Sequence, residues 1–206
     1  MRPIVIAVPK GRVLKALAPR LAKLGIDPAS LLGEEADRRL VRELPALGWN
    51  LLLLKPDDVP TWVEYGAADL GICGRDVLLE RGFDLYQPLD LGIGRCRMVV
   101  AAREGAGPLP DPPRIATKYP RIAAAHFAEK HGVQAEVIYV QGSVELAPLT
   151  GLADAIVDLV ESGETLRQNA LEVREHVCDV SSVVVANRAA YKLLGARARA
   201  VVDALA

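Results

Sequence analysis

Residues 145–166 read ELAPLTGLADAIVDLVESGETL, and the middle of this stretch sets the reading of the rest. Ala155-Ile156-Val157-Asp158-Leu159-Val160 is an apolar run with β-branched residues, the length of a buried strand. Glu161-Ser162-Gly163-Glu164 breaks the run, and Thr165 stands where a helix begins, with Leu166 and Ala170 as its first apolar positions. A strand, a tight glycine turn and a hydroxyl-bearing helix start form the local geometry of a phosphate cradle. Backbone N–H groups point outward, the helix dipole favours an anion, and a glycine lets the phosphate approach the main chain. Ser162 and Thr165 add hydroxyl donors. Asp158, towards the strand's end, is placed to accept hydrogen bonds from ribose hydroxyls next to a 5′-phosphate. The same residue types also cap an ordinary helix in any α/β protein. Glu161 and Glu164 would oppose an anion, so they must point away from it or meet it through Mg²⁺.

Outward from this stretch, strand-end loops recur. Pro3–Val8 reads as a buried strand and Val13–Leu24 as an amphipathic helix with Leu14, Leu17, Leu21 and Leu24 on one face. Lys10-Gly11-Arg12 falls between them, where open α/β sheets bind ligands. Its two cations and glycine suit a pyrophosphate or polyphosphate, or make a solvated loop. Trp49–Leu54 is the next strand and ends at Lys55. Asp58 starts a helix that runs to Tyr65. Ala68–Cys73 is a short strand leading into Gly74-Arg75-Asp76, with Asp76 in a helix's first turn. The charge cluster Asp37-Arg38-Arg39 reads as a solvated face. After Pro88–Gly94 the pattern restarts. Arg97–Ala102, Arg114–Thr117 and Val137–Val140 read as strands, Ile122–Lys130 as a helix, and Lys118-Tyr119-Pro120 and Gln141-Gly142-Ser143 as strand-end loops. Ser182–Ala186 is a further strand and Tyr191–Leu205 a terminal helix. The division expected is 1–91 with 172–206 as domain I and 92–171 as domain II.

Composition narrows the function. The 206 residues carry 25 Lys and Arg against 26 Asp and Glu, a net charge of −1, which gives no electrostatic footprint for nucleic acid or an anionic membrane. Leu44–Leu54 is the longest stretch without a charged residue, well short of a membrane span. The N-terminus has no signal-peptide pattern. Cys73, Cys96 and Cys178 are far apart, and no Cys/His ligand spacing exists. Neither a zinc site nor a disulfide framework is indicated, and the thiols read as reduced ones in a cytoplasmic protein. His126, His131 and His176 pair with no cysteine or serine in the sequence. A GxxxxGK[ST] spacing is missing, which disfavours a P-loop kinase.

The pattern E-x5-G-x-A-x2-I-x-D-L-x2-S-G-x-T-L over Glu145–Leu166 resembles the signature of the ATP phosphoribosyltransferase family, whose reaction opens histidine biosynthesis. Val8-Pro9-Lys10-Gly11-Arg12, Asp57-Asp58-Val59-Pro60, Ala68-Asp69-Leu70-Gly71-Ile72-x-Gly74-x-Asp76-Val77-Leu78, Arg114–Pro120 and Gly142-Ser143-Val144-Glu145 are similar to that family too, in its order. The resemblance implies two α/β domains like those of type II periplasmic binding proteins, with the active site in the interdomain cleft. It implies that adenine N1 of ATP attacks C1 of phosphoribosyl pyrophosphate (PRPP) with Mg²⁺ present. Asp158, Glu161, Ser162, Gly163, Glu164 and Thr165 become the PRPP loop. Lys10, Arg12 and Lys55 become the catalytic cations facing pyrophosphate. Gly11, Asp69, Gly74 and Asp76 become ATP contacts. The length corresponds to the family's short form, which implies a regulatory subunit resembling histidyl-tRNA synthetase and a homodimeric core. The reading that competes with transfer is a cytoplasmic nucleotide or PRPP sensor on the same fold.

Overall fold

The computed structural model describes residues 2–27 and 39–206. Asp37 and Arg38 of the charge cluster lie outside them. The chain divides into two compact units, one holding the chain up to Gly94 together with Ser181–Ala206, the other Arg95–Val180.

In the first unit, β1 (Ile4–Pro9) leads into α1 (Arg12–Lys23), then β2 (Val41–Leu44) and β3 (Trp49–Leu54). A 3₁₀ turn, Pro56–Asp58, runs into α2 (Val59–Glu64). There follow β4 (Leu70–Gly74), α3 (Arg75–Arg81) and β5 (Tyr86–Asp90). The sheet order is β2-β3-β1-β4-β11-β5, with β11 the later strand Ser182–Ala186. Strands β3, β1 and β4 are parallel, and β2, β11 and β5 run antiparallel to their neighbours. Alternation in β3 explains the layering. Trp49, Leu51 and Leu53 pack with Leu14, Leu17 and Leu21 of α1 on one face, while Leu52 and Leu54 turn to Val59 and Val63 of α2 on the other. The sheet is therefore covered on both faces, as parallel strands require. Gly71 admits this packing, because a Cβ there would come within 2.7 Å of Val63 and 2.8 Å of Val59.

In the second unit, β6 (Cys96–Arg103) is followed by β7 (Arg114–Thr117), α4 (Pro120–His126) with a π-helical end at Phe127–His131, and β8 (Glu136–Tyr139). Then come α5 (Leu146–Thr150), β9 (Ala155–Val160), α6 (Glu164–Gln168) and β10 (Leu171–Val180). The sheet order is β10-β6-β9-β7-β8, with β8, β7 and β9 parallel. Ile156 and Val160 pack with Val144, Ala147 and Leu166 on one face. Ala155 and Val157 pack with Ala123 and Phe127 on the other.

Three expectations change. The boundary placed at 171/172 falls at the head of β10, which pairs with β6 from Leu171 to Val180 and so belongs to the second unit. The boundary at 91/92 moves to 94/95. The terminal helix is two, α7 (Arg188–Leu194) and α8 (Ala196–Leu205), because Gly195 at φ 53° and ψ −116° interrupts it. Strands β2, β5 and β10 are interrupted by polar or charged residues in the sequence and gave no apolar run to read.

Asp69 is a correction of another kind. Only 2% exposed, it precedes β4 and accepts from Arg2 at 2.9 and 2.6 Å and from the Val5 N–H at 2.9 Å. That is the amino-terminal edge of the parallel strands, opposite their ligand-binding ends, so the carboxylate fastens β1 to β4 in place of the ATP contact expected. Asp69→Ala leaves the part-buried Val5 N–H without its partner and should destabilise the fold by about 1–3 kcal/mol. Denaturant titration reads that loss, and the KM for ATP should be unchanged.

Candidate active site

The carboxyl ends of β3, β1 and β4 lie side by side. Pro9 is in register with Leu54, and the next residue's N–H, from Lys10, donates to the Leu54 carbonyl at 2.9 Å. Lys10 and Lys55 therefore leave the sheet as neighbours, and both are exposed. Ile6 pairs with Leu70 and Ala7 with Gly71, and continuing that register sets Lys10 level with Gly74. Gly11 adopts φ 86° just before α1, a conformation that favours glycine. Arg12 is the first helical residue and is exposed. The edge thus presents Lys55, Lys10, Gly11, Arg12 and Gly74 together.

Asp76 is placed differently from the expectation of a ligand-facing carboxylate. It is buried in the first turn of α3, where it favours the helix dipole, and its carboxylate folds back over Gly74. A Cβ at Gly74 would collide with Asp76 Oδ1. A side chain at 74 would therefore have to displace the Asp76 carboxylate, which packs against the loop. At the same edge the Arg75 N–H donates to the Ser181 carbonyl at 3.0 Å, and the Ser181 hydroxyl bonds to Asp90 at 2.8 Å. Burial pushes the Cys73 thiol up, aided by Asp76, so the thiol is inert.

The second unit repeats the arrangement. Thr117 pairs with Val157, and its buried hydroxyl donates to the Val157 carbonyl at 2.6 Å while accepting from the Tyr119 N–H at 2.8 Å. This clamp sets Lys118 beside Asp158. Asp158 shares its face of β9 with Ile156 and Val160, which flank it in the core cluster, and is half-buried. Burial pushes its carboxyl up, and Glu145 reinforces the rise. The Leu159 N–H at 2.8 Å and the Lys118 charge oppose it. Arg97, exposed on β6, pairs with Val160 and adds a cation next to the loop. Gly163 turns the chain at φ 78°, the Ser162 hydroxyl accepts from the Glu164 N–H at 3.3 Å at the start of α6, and Ser162 and Thr165 are exposed while Leu166 anchors the turn in the core. Ser143 holds φ 51° beside Gly142 in the neighbouring strand-end loop.

Glu164 does not face this loop's concavity. Arg167 pairs with it one turn on, and Gln168 donates to it at 2.9 Å. The helix surface occupies the carboxylate, which resolves the conflict between an acid and an anion at that position. Glu161 is exposed. Glu164→Ala should shift stability by at most about 0.5 kcal/mol, as for an exposed pair, and leave the KM for PRPP unchanged. A several-fold rise in that KM would place Glu164 among the PRPP contacts after all. The sequence pointed to Lys118 only as a loop residue, to Glu145 only as a position of the family pattern, and to Arg97 only as a strand residue. Each reaches the site through strand pairing or packing, which spacing along the chain does not display.

Two α/β units with cationic and hydroxyl-bearing loops at the carboxyl edges of their parallel strands define the class: a two-domain protein of the type II periplasmic-binding-protein fold, equipped for phosphorylated ligands. The ATP phosphoribosyltransferase family model matches residues 55–206. The ATP phosphoribosyltransferase of Sorangium cellulosum is 60% identical over 204 residues, covering 99% of this chain and 95% of the relative. That of Chromobacterium violaceum is 50% identical, covering 98% and 97%. The ATP phosphoribosyl transferase (HisG:HisZ) complex from Thermotoga maritima superposes with a TM-score of 0.83 at 35% identity, over 98% of this chain and 96% of that one. The chain belongs to the ATP phosphoribosyltransferase family. No helix among the described residues is long and apolar enough to cross a membrane.

Proposed function

We propose that this chain transfers the phosphoribosyl group of PRPP to N1 of ATP, giving N1-(5-phosphoribosyl)-ATP and pyrophosphate, the first step of histidine biosynthesis, in the cytoplasm. The observation that carries this is the half-buried Asp158 at the carboxyl end of β9, followed by the exposed Ser162-Gly163-x-Thr165 turn, in a chain of this family. The bond from C1 to the pyrophosphate oxygen breaks with its electron pair on oxygen, and the adenine N1 lone pair forms the new bond to C1. Positive charge grows on the ribose and negative charge on the leaving group. The protein's work is alignment and charge stabilisation. Asp158 holds the ribose hydroxyls, and Ser162, Gly163 and Thr165 hold the 5′-phosphate. Lys10, Arg12 and Lys55 neutralise pyrophosphate, with Gly11 letting phosphates approach the main chain. N1 carries a free lone pair, so no general base is required.

The family generally uses a divalent metal, and we assign Mg²⁺. Asp158 and Glu145 supply hard oxygen donors at the same strand edge, the donor type Mg²⁺ takes. When bound it would neutralise charge on the pyrophosphate oxygens. The Thermotoga maritima relative is a HisG:HisZ complex, and this chain is proposed to work likewise on a homodimeric core with a regulatory subunit resembling histidyl-tRNA synthetase.

Incubating the purified chain with ATP, PRPP and Mg²⁺, with and without such a subunit, should yield phosphoribosyl-ATP by absorbance and one pyrophosphate per product. Binding of both ligands with no product under either condition would leave the sensor reading. Release of ADP would mark a kinase.

A further inference from the structure

On the second unit, away from every residue assigned above, two backbone irregularities converge. The end of α4 widens into a π-helix over Phe127–His131. An α-helix would set residues five apart on different faces. The wider turn brings His126 and His131 together, with ring centroids 5.8 Å apart. Opposite them, β10 shifts register against β6 between Val173 and Glu175 and again between His176 and Cys178. Bulges of this kind re-aim side chains. Glu175 meets both rings through one oxygen, Oε2, at 3.1 Å from His126 Nε2 and 3.0 Å from His131 Nε2.

We propose that His126, His131 and Glu175 form a site for a first-row divalent cation of the zinc type. Two imidazole nitrogens and a carboxylate oxygen are the donor set such ions take, three protein ligands leaving one position for water. The three ligand atoms lie within 4.8 Å of one another. In a tetrahedral site with bonds of about 2.0–2.1 Å, neighbouring donors stand about 3.3 Å apart, so the two nitrogen–oxygen separations need open only slightly. His126 is nearly buried, whereas Glu175 and His131 are 22% and 34% exposed, which leaves an entry path. Without an ion the same carboxylate oxygen accepts from Lys130 at 2.8 Å. Burial pushes the Glu175 carboxyl up, but Lys130, His131 and His126 together outweigh it and hold it at about 2. Lys130 is the competitor that a bound cation must displace.

The site is independent of the transferase reading. Helix α4 starts at the carboxyl end of β7 and runs back from it, so its far end lies towards the edge opposite Lys118 and Asp158. An ion there would tie α4 to β10 and act as a structural or regulatory clamp.

The full chain, stripped with chelator, should be titrated with Zn²⁺ by calorimetry and with Co²⁺ by visible absorption. One equivalent should bind per chain, with a tetrahedral Co²⁺ spectrum and a rise in Tm. His131→Ala and Glu175→Gln should each weaken binding tenfold or more, whereas Lys130→Gln should strengthen it. His131 and Lys130 are partly exposed, so those variants keep the fold, which circular dichroism checks. Binding that is absent, or that persists unchanged in both ligand variants, would overturn the proposal. So would a Lys130→Gln chain that loses stability without gaining affinity, since that is the behaviour of an ion-pair knot.

Discussion

Asp158→Asn is expected to lower kcat/KM for PRPP by about 100-fold or more while leaving the chain as stable as before, or more stable. The activity loss follows from the role. A carboxylate accepting from ribose hydroxyls strengthens its hydrogen bonds as positive charge develops on the ring, and losing such a preorganised charge removes about 3 kcal/mol or more of transition-state stabilisation. The stability gain follows from the environment. Burial raises the Asp158 carboxyl above its ordinary 3.8, with Glu145 adding to it. Between 3.8 and the raised folded value the native state binds more protons than the unfolded chain. Stability therefore falls as pH rises through that window. At neutral pH the ionised Asp158 opposes folding, and an uncharged isostere relieves that strain. The acidic limb of the pH–rate profile should lie above the usual carboxylate range in the parent and vanish in the variant. A variant that loses stability and activity together would make Asp158 a structural residue. Thermal melts and initial rates on the same preparation separate the two.

Lys10→Met and Lys55→Met should each lower kcat by about 100-fold, again by the scale of one lost transition-state charge contact. Lys10 and Lys55 leave adjacent strands together, one residue beyond the Pro9–Leu54 pair, so in the proposed reaction both cations face the same developing charge. Neighbours acting on one group couple. The double variant should therefore fall well short of the product of the two losses. Both side chains are exposed, and surface changes of this kind stay within about 0.5 kcal/mol of the parent's stability. A fully multiplicative double variant would show that the two lysines contact separate groups.

The apolar strands were legible because their pattern is local. Ala155–Val160, Trp49–Leu54 and Ser182–Ala186 begin and end where composition put them, and each is an apolar run whose burial leaves little alternative. The loops Lys10-Gly11-Arg12, Lys55 and Ser162–Thr165 were legible for the same reason. A strand followed by a helix start fixes which end carries ligands, and the residues are contiguous. β10 was missed because it is an edge strand whose charged residues break any apolar run. Pairing with β6, set far earlier in the chain, makes it a strand. Asp69 was misread because the sequence places it near Gly74 and Asp76, while the strand between them carries it to the other edge of the sheet.

The sequence alone thus determined the family, the two-unit α/β architecture and the glycine turns at the strand ends, since apolar periodicity and glycine placement are properties of neighbouring residues. Only the tertiary structure decided what distant residues do together. It turned Glu164 towards Arg167, folded Asp76 beneath Gly74 and set Glu145 and Lys118 around Asp158. It also joined His126 and His131 to Glu175, which lies 49 and 44 residues further on. Strand register and two local backbone irregularities make that meeting, and neither is written in spacing along the chain.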